Sequence, residues 1–224
     1  MESRQPVQEV TIPVKDVSLM GTLTRPQNAR ALVLFAHGSG SSRFSPRNRY
    51  VAAELNRAGI ETLLMDLLSE QEDSGPAARF DIDLLAARLA QATEWIAARQ
   101  TPPLSVGYFG ASTGAAAAIR AARVSSVPIQ AIVSRGGRPD LAGRDVLSSV
   151  HVPTLLVVGG LDTHVIELNR AAFALLEGPK DLMIVPGATH LFEENGALEV
   201  VARLAVQWFE RYPGNSRNNA RDNA

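Results

Sequence analysis

Cysteine is absent from the 224 residues. Its absence removes disulfides, thiolate metal sites and a cysteine nucleophile, and it suits a reducing cytoplasm. Charge of one sign is missing too. The 22 basic and 23 acidic residues leave a formal net charge of -1, without the positive field that nucleic-acid binding requires. The N-terminus, MESRQPVQEV, has no apolar signal-peptide core. No run approaches the roughly 18 apolar residues that span a membrane. Neither Gly-rich segment, HGSGSSR or GYFGASTG, matches GxGxxG, and GxxxxGKS/T does not occur, which sets nucleotide binding aside. No histidine and carboxylate cluster has the spacing of metal ligands, and no internal repeat stands out. These absences lead us to expect a soluble, cytoplasmic protein with no cofactor, no metal, and no nucleic-acid or membrane partner; a homodimer is left open.

What is present is enough apolar material, 46% of residues, for one full core. Six near-continuous apolar runs read as strands buried on both faces of a parallel sheet: ALVLFA (31 to 36), ETLLMD (61 to 66), LSVGYF (104 to 109), IQAIVS (129 to 134), TLLVVG (154 to 159) and DLMIVP (181 to 186). Helical patterns lie between them. SPRNRYVAAELNRAG carries Ser45 as N-cap, Pro46 at the first helical position and Gly59 past the end. In FDIDLLAARLAQATEWIAARQ, the residues Ile82, Leu85, Leu89, Ala92 and Ile96 make an apolar stripe, with Arg88, Gln91 and Glu94 assigned to the other side. A helix is expected from about Thr163 to Glu177, and a last one in ALEVVARLAVQWFERY with Leu198, Val201, Ala205 and Trp208 on one face. The opening VTIPVKDVSLMGTLTRPQ reads as an antiparallel hairpin. The expectation is one α/β domain over residues 1–212, a mostly parallel, doubly wound sheet preceded by that hairpin, and a solvated tail, PGNSRNNARDNA, over 213–224. Ligands bind such sheets at the carboxyl ends of the strands.

At one such end stands Gly110-Ala111-Ser112-Thr113-Gly114, between the strand LSVGYF and the helix-favouring AAAAIRAAR. A strand, a tight turn and a helix are the context in which GxSxG forms a nucleophile elbow, with glycines where side chains would collide. The helix start aims free N–H groups and a positive dipole end at the same spot. A bare Gly-Ser turn is the plainer alternative. A serine needs a base, and the base needs an orienting partner. His190, in PGATHLFEE, follows the last strand and is the best candidate; His37 reads as a loop-shaping residue, His151 as structural, and His164 lies near a loop mouth. Asp162, in VVGGLDTHV, could be only a helix N-cap. The order Ser112, Asp162, His190, each after a successive strand, is the order of a hydrolase triad. Backbone donors for an oxyanion are expected at Thr113 and Ser39.

Through AHGSGSS, GASTG, VVGGLD and PGATH the chain resembles the α/β-hydrolase superfamily, and within it the small dienelactone-hydrolase-like proteins. The resemblance covers about residues 10 to 212. It implies an α/β-hydrolase fold and a serine carboxylesterase in which Ser112 attacks the ester carbonyl, His190 moves the proton and Asp162 orients His190. One departure is that dienelactone hydrolases proper use a cysteine nucleophile. Only RGGRPDLAGRDVLSSVHV separates Ser134 from Pro153, room for a loop and a short helix but not for a cap domain. An open site and short acyl esters are therefore expected. Thioester or lactone hydrolysis, acyl transfer, and a non-catalytic binding module remain alternatives. Arg43 or Arg135 could receive a substrate carboxylate or phosphate, although the facing loop Ser69-Glu70-Gln71-Glu72-Asp73 is acidic and Arg47 and Arg49 lie nearby.

Overall fold

The six apolar runs are the six parallel strands of an eight-stranded sheet in the computed structural model, which describes residues 6–213. In chain order the elements are β1 (Val7–Val14), β2 (Val17–Thr24), β3 (Ala31–Ala36), α1 (Pro46–Arg57), β4 (Ile60–Met65), α2 (Pro76–Arg79), α3 (Ile82–Ala97) and β5 (Ser105–Ala111). They continue with α4 (Thr113–Val124), β6 (Ile129–Arg135), α5 (Arg144–Leu147), β7 (Thr154–Gly159), α6 (Thr163–Leu175), β8 (Lys180–Val185) and α7 (Ala197–Arg211). The sheet order is β1-β2-β4-β3-β5-β6-β7-β8. Only β1 with β2, and β2 with β4, pair antiparallel. The hairpin turns at Lys15 and Asp16, with Val14 opposite Val17 and Lys15 at φ 36°. Between β6 and β7 lie a 3₁₀ turn and α5, with no cap domain. Of the tail expected over 213–224, residues 214–224 lie outside the described residues.

Each parallel strand feeds two cores, because successive side chains point to opposite faces. Leu32 and Leu34 join the core under α3, α4 and α6, whereas Val33 and Phe35 join the core under α1 and α7. The α3 stripe behaves as its spacing predicts, with Leu85, Leu89, Ala92 and Ile96 buried. Arg88 corrects that reading. It is 7% exposed, and its guanidinium donates to Glu72 at 2.8 Å and to Val14 O at 3.2 Å. A helical wheel cannot foresee this, since the carboxylate and the carbonyl arrive from other parts of the chain. Ser45 caps α1 as expected, accepting from Asn48 N–H. Among the described residues no helix is long and apolar enough to cross a membrane.

One buried polar pair makes a testable contribution to stability. Thr93 on α3 donates its hydroxyl to Leu89 O at 2.8 Å, so at its 2.8 Å contact with Tyr108 on β5 the phenol is the donor. Burial pushes the Tyr108 phenol up to about 12. A phenol held neutral by the fold contributes stability that is whole below the unfolded pKa, about 10, and is lost as pH rises through the folded value. By pH 11 the wild type should have lost about 1.4 kcal/mol that Tyr108→Phe does not lose. Urea unfolding of both proteins at pH 8 and pH 11 checks this; parallel losses in the two would contradict it.

Candidate active site

The turn between β5 and α4 holds Ser112 at φ 52° and ψ -123°. A non-glycine residue at such a positive φ costs of order 1–3 kcal/mol and persists only where its surroundings over-determine it. They do so here. Ser112 N–H donates to Arg135 O at 3.3 Å, and Ser112 O accepts from Ala115 N–H at 3.1 Å and Arg138 N–H at 3.0 Å. The flanking glycines are sterically required. A Cβ on Gly110 would stand 2.5 Å from Ala115 Cα, and one on Gly114 would stand 2.6 Å from His37 O. The strand, the helix and the loop after β3 thus close on the serine from three sides, as GxSxG between a strand and a helix predicts.

Asp162 and His190 meet. His190 Nδ1 lies 2.6 Å from Asp162 Oδ2, with the ring 39% and the carboxylate 17% exposed. Asp162 precedes α6, yet its side chain makes no capping hydrogen bond. Its role as a cap, the plainer reading of the sequence, is not the one observed. Backbone bonds hold the two loops in this relation: Gly160 N–H donates to Val185 O at 2.8 Å and Leu161 N–H to Ala188 O at 2.9 Å. With Nδ1–H given to the carboxylate, Nε2 is left as the basic nitrogen. Ser112 and His190 make no hydrogen bond to each other. Gly136 brings them into one neighbourhood. It follows Arg135, to whose carbonyl Ser112 is bonded, and a Cβ on it would stand 3.0 Å from His190 O and 3.5 Å from His190 Nδ1.

The loop after β3 lies against the elbow. Ser39 N–H, one of the two expected oxyanion donors, donates to Thr113 Oγ1 at 2.9 Å. The other, Thr113 N–H, is the first amide of α4, one of the free donors that begin every helix. His37 shapes this loop. It is 8% exposed, its Nδ1 is 2.9 Å from Gly38 O, its Nε2 accepts from Leu67 N–H at 3.1 Å, and burial lowers its pKa. His151 is exposed at the opposite, amino end of the sheet, and His164 is exposed on α6. A cavity of about 200 Å³ adjoins the loop, bounded by His37, Ser41, Phe44, Leu68, Glu70 and Asp73 among others.

The two arginines expected to take an anion differ. Arg43 is committed: its guanidinium pairs with Asp66, and Nε lies 3.5 Å from Glu9. Arg135 is 6% exposed and, among the described residues, has no carboxylate partner. Burial, with the charge of Arg47, lowers its pKa to about 10. An unpaired buried charge costs several kcal/mol. Two site residues escaped the sequence reading. Gly136 was legible only as part of a Gly-Gly pair after a strand. Phe192, buried and held at φ 58° two residues past His190, carries no signal at all. Among the described residues no group of three or more His, Cys, Asp or Glu is placed to hold a metal ion.

No family model matches the chain. A Mycobacterium tuberculosis protein named as a phosphoribosyl transferase is 57% identical over 203 residues, 90% of this chain but 46% of its own length, so the chain spans about half of that relative. A second M. tuberculosis protein, uncharacterised, is 30% identical over 200 residues and is covered to 69%. The crystal structure of a dienelactone hydrolase from Anabaena variabilis matches with a TM-score of 0.90 and 52% identity, covering 94% of this chain and 99% of that one. Est1E from Butyrivibrio proteoclasticus, at 16% identity and a TM-score of 0.77, shares the fold. Half of the positions identical over nearly the whole of the Anabaena enzyme makes this chain a member of the dienelactone-hydrolase-like α/β-hydrolases.

Proposed function

We propose that the protein is a serine carboxylesterase that cleaves short-chain esters through an acyl-enzyme on Ser112. The observation that carries this reading is the 2.6 Å contact between His190 and Asp162, on loops at the same sheet end as the Ser112 elbow. In the proposed reaction, His190 Nε2 removes the proton from Ser112 Oγ as the oxygen attacks the ester carbonyl. Asp162 holds the imidazole in the tautomer that leaves Nε2 basic and stabilises the imidazolium that forms. Thr113 N–H and Ser39 N–H receive the oxyanion, and the Ser39 amide exchanges the Thr113 hydroxyl for it. The imidazolium then protonates the leaving alkoxide. In the second half the same imidazole activates water, which releases the acid and restores Ser112. A serine in the nucleophile's place fits ester hydrolysis, and the same residues serve a thioester or lactone; an acyl acceptor other than water would make the protein a transferase.

The short connection between β6 and β7, which carries no cap domain, supports short acyl groups. Labelling by a fluorophosphonate probe and turnover of p-nitrophenyl acetate and butyrate test the reading. Both esters should turn over with higher kcat/KM than p-nitrophenyl palmitate. Preference for the long chain would refute the short-acyl assignment, and a folded protein that neither labels nor hydrolyses would favour a binding module instead.

A further inference from the structure

The esterase reading leaves one buried cation unused. Arg135 closes β6; among the described residues its Nε has no hydrogen-bond partner, and its Nη2 reaches Asn48 Oδ1 alone, at 3.4 Å. Phe192 lies 6.0 Å away, a weak substitute for a counter-ion. The charge that acts on Arg135 is a like one, Arg47, from the first turn of α1. Arg47 Nε is also buried without a partner, while its Nη1 meets Glu193 at 2.8 Å. That first turn contains no acidic residue, and the positive end of the α1 dipole adds to the potential. Two guanidinium groups and a helix start therefore converge where, among the described residues, one carboxylate is paired with them, and that one is 63% exposed.

We propose that Arg135 and Arg47 form a binding site for a small oxyanion, a carboxylate or a phosphate, between the first turn of α1 and the loop that carries His190. Guanidinium forks match both groups bidentately. The anion enters by displacing Glu193 from Arg47, an exchange of low cost because exposed ion pairs contribute little. Glu193 stands three residues from His190, so occupancy of the site bears on the loop that holds the base. The anion is either part of the substrate, in which case this role rests on the esterase reading, or free in solution, in which case it does not.

Binding is measured on Ser112→Ala protein by titrating inorganic phosphate and acetate at constant ionic strength and following Tm. A saturable rise in Tm is expected. Adding Glu193→Gln should lower the half-saturating phosphate concentration by roughly threefold or more, and adding Arg135→Met should remove the response. Hydrolysis by the enzyme with Ser112 intact separates the two sources. If the anion belongs to the substrate, Arg135→Met lowers the kcat/KM ratio of p-nitrophenyl hydrogen glutarate to p-nitrophenyl butyrate at least about tenfold, and Glu193→Gln raises it. If it is free, the ratio stays constant and the Tm response stands alone. No saturable response in either the parent or the Glu193→Gln protein, together with a constant ester ratio, overturns the proposal. Should the protein turn over no ester, the titration decides by itself, and Glu193→Gln decides if Arg135→Met does not fold.

Discussion

Ser112→Ala is expected to lower kcat for p-nitrophenyl acetate by at least about 10⁴-fold and to abolish fluorophosphonate labelling, with the fold intact. The size of the loss follows from the division of labour at the elbow. The oxyanion donors and the bound substrate remain, so a residual rate above that of water survives, but the covalent route is gone. The mutation removes one oxygen from a half-buried side chain, and the backbone at φ 52° is held by contacts of the main chain that alanine preserves. Stability should therefore change by less than about 1 kcal/mol. An unaltered rate in the mutant, with labelling retained, would place the nucleophile elsewhere and remove the basis for the proposed function.

Asp162→Asn should cost about 10⁴-fold in kcat with little change in KM. Asparagine keeps the volume of the side chain but presents either an amide N–H₂ or a neutral oxygen to His190 Nδ1. The first forces the tautomer with the proton on Nε2, where it cannot accept from serine; the second forgoes the charge that stabilises the imidazolium. This substitution also separates the two readings of Asp162. Asparagine is as good an N-cap as aspartate, and the native carboxylate caps nothing. If Asp162 served only α6, both kcat and Tm would be nearly unchanged. A large loss of kcat at constant Tm is the outcome that assigns it to His190.

The sequence was most informative where one local pattern sufficed. The apolar runs located the parallel strands to within a residue or two, because a strand buried on both faces needs no partner to be recognised; five of the six are buried so, whereas β8, expected to be, is partly exposed at the sheet edge. Ser45 and Pro46 located the start of α1 for a similar reason: a cap is written within four residues. The glycines around Ser112 were legible as steric requirements, even though the atoms they avoid belong to Ala36, His37 and Ala115. What stayed hidden was decided across the chain. Arg88 is drawn inward by Glu72 and Val14. Ser39 N–H turns to the Thr113 hydroxyl, 74 residues away. Arg43 and Arg135 look alike in sequence, one in the loop after a strand and one at a strand's end, but Asp66 neutralises only the first. No spacing rule distinguishes them, since the difference lies in which distant carboxylate arrives.

Among the described residues the sheet ends at β8, which pairs with β7 alone and alternates partly exposed with exposed residues up to Val185. His190 hangs from the loop that follows this strand, whereas Ser112 hangs from β5, a strand flanked on both sides. The proposed nucleophile is thus moored in the middle of the sheet and the proposed base at its margin, where local opening costs fewer contacts than in the centre. Under mild stress the two part company before the rest of the chain lets go, so turnover is a finer gauge of this protein's integrity than any bulk signal from its helices.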